Sequence, residues 1–209
     1  MGDGLQAGGV ALPPDAEAHV ELGFGPEHRR AAAELYWDAF GVKLEHILAP
    51  RARGINIIER TLAPDRALVA LQGDELVGLA GFSLDGRALV EITVRDIIRE
   101  YGLLSSPRRL AWATLLDRNP RPHELLMDGI VVRADRRGHG IGSQLLDRVF
   151  ELADEHGKRV VRLDVVDTNP AARRLYERMG FVEMKTEQVP FLRKAMGFAA
   201  ATSMERTVP

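Results

Sequence analysis

We expect this chain to fold as a single α/β domain. Two observations predict it. Apolar runs of strand length alternate with segments whose apolar residues recur at helical spacing, and 209 residues suffice for one sizeable core. Residues 1–17 contain glycines and prolines but no basic stretch leading into an apolar one. They are predicted to be a flexible leader, with 18–209 forming a single domain.

The first half of the chain predicts a strand, a helical region and a hairpin. Gly73-Asp74 separates two apolar stretches and is a typical hairpin turn. The predicted elements are an edge strand at 18–24, a helix at 26–40 with weaker periodicity to about 62, and strands at 67–72 and 75–84.

A glycine-rich turn lies between a strand and a helix in the middle of the chain. The apolar run at 125–132 predicts a buried strand, and the apolar spacing from Ile141 onward predicts a helix. Glycines at 138, 140 and 142 remove Cβ atoms and permit positive φ. The amide N–H groups of such a turn lie at the positive end of the helix dipole, where anions bind. The turn therefore predicts a phosphate-bearing ligand, and the alternative is a tight packing turn.

The spacing of this turn argues against two common phosphate loops. It contains no lysine, which the Walker pattern needs, and its third glycine comes one residue too early for the dinucleotide fingerprint. What remains is R-x-x-G-x-G, formed by Arg137, Gly140 and Gly142.

A second motif follows this helix. Residues 159–166 have strand composition, Asn169 and Pro170 suit a helix N-cap and first helical position, and Gly180 suits a helix C-terminus. An irregular stretch at 191–198 precedes a predicted last strand at 200–207.

Both motifs resemble the GCN5-related N-acetyltransferase superfamily, over roughly residues 65–188. The R-x-x-G-x-G turn is similar to its pyrophosphate loop, and the hairpin resembles its second and third strands. Its N-x-x-A-x-x-x-Y-x-x-x-G-F pattern is matched at Asn169, Ala172, Tyr176, Gly180 and Phe181. The resemblance implies a mixed, strongly twisted sheet of about six or seven strands flanked by helices. It also implies acetyl-CoA as co-substrate and transfer of its acetyl group to a primary amine.

The resemblance also implies where the donor lies. In the superfamily the fourth strand separates from the fifth, and the pantetheine arm occupies the gap between them. His139 is expected to fill space in the loop rather than to catalyse. The residues implied to hold the donor are Ile130, Val131, Val132, Arg137, Gly138, His139, Gly140, Ile141, Gly142, Ser143 and Asn169.

Acetyl transfer needs a neutral amine and a proton for the leaving thiolate. An amine with a pKa of about 10.4 costs roughly 4 to 5 kcal/mol to deprotonate at neutral pH, so a positioned base is useful. Asp128, which interrupts an apolar strand and shares strand parity with Ile130 and Val132, is the first candidate. Asp164 is the second, and for both the alternative is a structural aspartate. Tyr176 is the candidate acid, since a phenol of pKa about 10 stays protonated; the alternative is simple packing.

The connection at 85–123 is longer than the superfamily's usual short turn between the third and fourth strands. Helices are predicted around 93–101 and 107–118. This helical insertion is expected either to form a lid or wall of the acceptor pocket through Tyr101 and Trp112, or to be a packing appendage or dimer contact.

Composition limits the remaining function classes. A net charge of −2 gives no global attraction to nucleic acid or anionic membrane, and no apolar run reaches membrane-spanning length. The absence of cysteine fits a cytoplasmic protein and excludes a cysteine-bound acyl intermediate. Attack on the thioester is therefore expected to be direct, within a ternary complex.

No histidine cluster predicts a metal site. The acceptor is expected to be a small-molecule amine or a protein amine, and the oligomeric state, including a homodimer, stays open. The alternative function is a non-catalytic acyl-CoA-binding sensory or regulatory module of the same fold.

Overall fold

The computed structural model describes residues 17–104, 106–113, 121–190 and 193–208, with side chains at all of these except 108, 111–113, 194 and 195. The helices are α1 Arg29–Leu48, α2 Arg51–Thr61, α3 Val94–Tyr101, α4 Ser106–Ala113, α5 Ile141–Glu155, α6 Pro170–Arg178 and α7 Arg193–Met196. The strands are β1 His19–Leu22, β2 Ala67–Gln72, β3 Glu75–Ser83, β4 Glu124–Val132, β5 Val160–Val166, β6 Val182–Gln188 and β7 Ala200–Thr207.

The strands form one seven-stranded sheet in the order β1-β2-β3-β4-β5-β7-β6. Only β4 and β5 pair in parallel, and every other neighbouring pair is antiparallel. The predicted mixed sheet flanked by helices is therefore confirmed. Among the described residues, no helix is both long enough and apolar enough to cross a membrane.

Two apolar cores lie on opposite faces of the sheet. One face is covered by α5 and α6, with Leu145, Val149 and Tyr176 among the buried side chains. The other face, across β2, β3 and β4, is covered by α1, α2 and α3, with Leu48, Ile58 and Leu89 among its buried residues. The sheet therefore has a helical layer on each side of its centre.

Three parts of the chain differ from the sequence-based expectation. The helix predicted at 26–40 begins with a short 3₁₀ turn and then continues to Leu48, where an extended Ala49 precedes Pro50. Strand β6 is not among the predicted elements. All seven of its residues are exposed, so the segment has no buried apolar run, and its short alternation of Val182 and Met184 with charged residues did not lead to a strand assignment. Most of the predicted leader and the end of the helix predicted at 107–118 lie outside the described residues.

The helical insertion holds the C-terminus of α1. The Tyr101 hydroxyl donates to the Leu48 carbonyl, and the Arg109 guanidinium donates to the carbonyls of Ile47 and Ala49. Arg109 also stacks on the Tyr101 ring, 3.7 Å from its centroid. The last carbonyls of a helix have no partner within the helix, so these two side chains complete the end of α1.

Candidate active site

A bulge in β4 opens the centre of the sheet. The register between β3 and β4 shifts next to Gly81, which makes Asp128 an extra residue in β4. An extra residue bends its strand and increases the local twist. The strands β4 and β5 pair over only three residues, Glu124–Leu126 with Val160–Arg162. Beyond them the expected gap between the fourth and fifth strands is present.

Backbone groups of β4 point into this gap. The Arg133 amide donates to the Val77 carbonyl at 2.8 Å, so the amides of alternate residues along β4 face β3. In an antiparallel ladder the backbone N–H and C=O groups of the residues between them point away from the paired strand. The backbone groups of Ile130 and Val132 are thus directed toward the gap, and the Val132 carbonyl accepts from Arg137 Nε at 3.0 Å.

The glycine-rich turn presents a row of unbonded amides. Gly138 and Gly140 have φ of +84° and +81°, and a Cβ at either position would meet no atom within 4 Å. The amides of residues 138–142 donate to no described atom, whereas those of Ser143 and Gln144 bond the Gly140 carbonyl. Five unbonded donors at the positive end of a 15-residue helix are the arrangement that favours an anion.

A guanidinium adds to this site. The Arg136 side chain is only 14% exposed, and its Nε is buried without a hydrogen-bond partner among the described residues. The carboxylate of Asp135 is 3.9 Å from that nitrogen, too far for a hydrogen bond. A buried donor left unbonded costs free energy, and the charged side chain that carries it lines the same cavity as the turn.

These groups surround a cavity of about 600 Å³. Since α5 and α6 cover one face of the sheet and α1 the other, a cavity lined by all three passes through the gap. Its lining residues are Asp38, Ala39, Phe40, Ile130, Val131, Val132, Arg136, Arg137, Gly138, Gly140, Ile141, Gly142, Ser143, Asn169, Ala171, Ala172, Leu175 and Arg178.

The cavity brings together ten of the eleven residues predicted to hold the donor. The exception is His139, whose exposed ring lies against the carbonyls of Arg136 and Arg137. Asn169 also acts as the predicted N-cap, since its side-chain oxygen accepts from the Ala172 amide at 3.1 Å. Gly142 has a packing role, because a Cβ there would lie 3.1 Å from the Leu175 side chain.

Asp128 faces the opposite side of the sheet from the one that strand parity predicts. Ile130 and Val132 contact the core under α5, but the bulge inserts a residue between them and the start of β4. The parity argument is therefore wrong, because it assumes a regular strand. The Asp128 carboxylate accepts from the Leu89 amide at 2.9 Å, and Leu89 lies in the core under α1.

Asp164 is on the same face of the sheet as Asp128, and it lines a second cavity that is separate from the one at the glycine-rich turn. Its neighbours Leu163 and Val165 point into the core under α5 and α6, so alternation places Asp164 on the other face. That second cavity, of about 490 Å³, is bordered by Arg121, Arg162, Asp164, Met184, Lys185, Glu187, Ala201, Ser203 and Glu205. No residue lines both cavities.

Tyr176 is 6% exposed and is not among the lining residues of either described cavity. Its ring makes an edge contact with Phe181, with centroids 5.7 Å apart. No described residue forms a hydrogen bond with its hydroxyl, and burial raises the pKa of the phenol above its usual value of 10.0. The three predicted catalytic residues therefore do not share a cavity. Asp128 and Tyr176 line neither described cavity, and Asp164 lines only the second one.

The structure also shows the role of Tyr101 and of Glu124. Tyr101 is engaged with α1, which supports the packing alternative for the insertion, while the Trp112 side chain lies outside the described residues. Burial acts to raise the pKa of Glu124, but hydrogen bonds from Arg121 and Arg162 outweigh it and hold this pKa below its usual 4.5. Glu124 is a structural carboxylate.

Several cavity residues were missed or only partly anticipated by sequence reasoning. Asp38 and Ala39 come from α1, which carries no motif, while Arg178 lies within the second motif at a position where the motif specifies no residue type. A glycine inside a strand indicates close approach of another group, and Gly129 meets this description: a Cβ there would lie 2.2 Å from the tip of Phe40. Within the described chain, no cluster of three or more histidine or acidic side chains could hold a metal ion.

The sheet, the bulge in β4 and the glycine-rich turn agree with what comparison with known families finds. The acetyltransferase (GNAT) family model matches residues 29–181. The chain belongs to this family.

Individual relatives are distant or match only a part. An uncharacterized N-acetyltransferase of Methanocaldococcus jannaschii is 39% identical to this chain over 61 residues. The match covers 29% of this chain and 25% of that protein. The matched segments cover 25%, 32% and 33% of the curated relatives, so each alignment spans only a minor part of the relative.

Solved structures share the fold over nearly the whole chain. A GCN5-related N-acetyltransferase from Kribbella flavida has a TM-score of 0.62 at 18% identity, covering 93% of this chain and 99% of that one. A protein from Salmonella typhimurium whose structure contains its cofactor acetyl-CoA has a TM-score of 0.58 at 16% identity, covering 92% of this chain and 94% of that one.

Proposed function

We propose that this protein is an N-acetyltransferase that moves an acetyl group from acetyl-CoA to a primary amine. The observation that carries the proposal is the row of five unbonded amides at residues 138–142, at one end of a cavity that crosses the sheet. A diphosphate needs several donors at one place, and the turn offers them without any movement of the chain.

The residues at this site fit the donor molecule. The amides at 138–142 would hold the diphosphate, and the guanidinium of Arg136, which lines the same cavity, would add its positive charge. The open space at the Cβ positions of Gly138 and Gly140 leaves room for it against the backbone. The gap-facing backbone groups of Ile130 and Val132 would pair with the amides of the pantetheine arm, as in the edge of a sheet.

The reaction proceeds by direct attack. The amine nitrogen forms a bond to the thioester carbon, the carbon–sulfur bond breaks, and the sulfur leaves as a thiolate that finally takes up a proton. A backbone N–H directed into the gap, such as that of Ile130, is suited to stabilise the charge that develops on the carbonyl oxygen. The products are an acetylamide and CoA.

Asp128 is the proposed base. It lies at the bulge where the gap begins, on the face covered by α1, so an amine approaching from that face would meet the donor in the gap. Its bond to the Leu89 amide fixes the orientation of the carboxylate. Asp164 is the second candidate, reached from the same face, and in either case the carboxylate or a water that it orients accepts the amine proton.

Tyr176 is the proposed donor to the leaving thiolate. Its raised pKa keeps the phenol protonated at neutral pH. Because the pKa of the thiol is lower, about 8.5, the phenol would stabilise the thiolate by donating a hydrogen bond rather than by transferring its proton completely. It occupies the position of α6 next to the lining residues Ala172 and Leu175. Catalytic hydrogen bonds often form only when substrate is bound.

The proposal is tested by incubating the purified protein with acetyl-CoA and a panel of amines, including small metabolites, antibiotic-like amines and peptides with free N-termini or lysines. Amine-dependent release of free thiol, with the acetylated product seen by mass spectrometry, supports it. Binding of CoA with no thiol release for any amine would instead favour a non-catalytic acyl-CoA-binding module. Absence of CoA binding would overturn both.

A further inference from the structure

One aromatic side chain closes the α1 end of the cavity. Phe40 lines the cavity together with Asp38 and Ala39. The tip of its ring is so close to the β4 backbone that a Cβ at Gly129 would lie 2.2 Å from Phe40 Cζ. Gly129 is next to the bulge residue Asp128, where the gap between β4 and β5 begins. The Phe40 ring therefore occupies the space that a side chain of β4 would otherwise fill.

This position corresponds to the acyl end of the donor. The diphosphate site lies at residues 138–142, and the cavity continues along Val132 and Ile130 toward α1. From Val132 to Gly129 the strand advances about 10 Å. A donor lying along β4 thus directs its terminal acyl group at the Phe40 ring.

The ring is held in place by its surroundings. Tyr36, one turn earlier on α1, contacts it with centroids 4.7 Å apart. The C-terminus of α1 is bonded to Tyr101 and Arg109 of the insertion. The contact with Tyr36 and the bonded end of the helix both limit how far the partly buried Phe40 ring can move aside for a larger group.

We infer that Phe40 restricts the acyl group of the donor, so that the protein uses acetyl-CoA in preference to longer acyl-CoA molecules. This inference rests on the proposed function and adds the specificity of its donor site. One methylene in a fitted apolar pocket changes kcat/KM by about 10- to 200-fold. The native protein should therefore use butyryl-CoA at least about tenfold less efficiently than acetyl-CoA.

The test compares acetyl-, propionyl- and butyryl-CoA in the native protein and in the Phe40→Ala variant. We measure kcat/KM by thiol release with one active amine from the panel, and Kd by calorimetry. Phe40→Ala should reduce the preference for acetyl over butyryl by at least about tenfold, in kcat/KM and in Kd, while the Kd of unacylated CoA stays the same. Phe40→Leu gives a second, less disruptive comparison if the alanine variant does not fold.

Leu35→Ala is the matched control. Leu35 is on the same helix and is 9% exposed, but it packs in the core under α1 and does not line the cavity. It should lower stability and keep the preference for acetyl. Equal use of acetyl- and butyryl-CoA by the native protein, or an unchanged preference in the Phe40 variants, would overturn the inference while leaving the proposed function intact. Absence of CoA binding or of thiol release from every acyl-CoA would instead count against the proposed function.

Discussion

Replacing Gly140 by alanine separates the anion-binding role of the turn from its backbone geometry. Gly140 has φ +81°, and an added Cβ would meet no protein atom within 4 Å. The only cost expected for folding is that of holding an alanine in the left-handed conformation, roughly 1–2 kcal/mol. Its Cβ, however, would stand beside the unbonded amides, in the space where a diphosphate approaches.

The expected loss of affinity follows from the contacts displaced. Hydrogen bonds to a charged group are worth about 1.5–3 kcal/mol each. Losing two amide contacts at the lower value removes about 3 kcal/mol, which raises Kd for CoA on the order of 100-fold. Kd is measured by calorimetry, and the free energy of unfolding by chemical denaturation.

Gly86→Ala is the matched control. Gly86 has φ +80°, and a Cβ there also meets nothing within 4 Å, but this residue lies in the turn after β3 and does not line the cavity. Both variants should lose similar stability, and only Gly140→Ala should lose CoA affinity. If Gly140→Ala binds CoA as tightly as the native protein does, the turn is a packing turn and the reasoning fails.

Three further predictions concern the chemistry and the support of the site. Tyr176→Phe should lower turnover about 100-fold with unchanged Kd for CoA, and with little change in stability because its hydroxyl bonds no described residue. Glu124→Gln should lower the free energy of unfolding by about 3 kcal/mol at pH 7, since the 3% exposed carboxylate is bonded to Arg162 at 2.8 Å. Arg109→Ala should cost about 2 kcal/mol, measured by denaturation, because the end of α1 loses its two bonds.

Each of these three has a result that would contradict it. Full turnover in Tyr176→Phe would show that the ring only packs. Because the pKa of Glu124 is lowered in the folded protein, its contribution is complete above about pH 4.5 and is lost as pH falls through the folded-state pKa. The difference between native protein and Glu124→Gln should therefore shrink in acid, and a constant difference would contradict the assignment. Arg95→Ala, an exposed change on α3, should leave stability nearly unchanged, unlike Arg109→Ala.

The parts of the fold that the sequence predicted have strong periodicity or specific turn residues. The hairpin at Gly73-Asp74, the strand–turn–helix around Gly140 and the Asn169 cap all depend on local signals, and all are present. Strand β6 was not anticipated because none of its residues is buried. Its place in the sheet comes from pairing with β7, a distant contact that a local pattern does not show.

The site was predicted best where it depends on the backbone. The glycines of the turn, and through the family resemblance the run at Ile130, pointed to residues that line the main cavity, since unbonded amides need no particular side chain. The orientation predicted for Asp128 was wrong, because an argument from strand parity cannot show that a bulge inserts an extra residue. The approach of Phe40 to Gly129 depends on how α1 crosses the sheet, which no local spacing encodes.

The most direct measurement is a crystal structure of the protein with CoA. We predict that the diphosphate oxygens lie within hydrogen-bond distance of the amides at residues 138–142, and that the pantetheine arm follows the backbone of Ile130 and Val132 through the gap between β4 and β5. CoA bound with its diphosphate away from this turn, or with its arm outside the gap, would contradict the account.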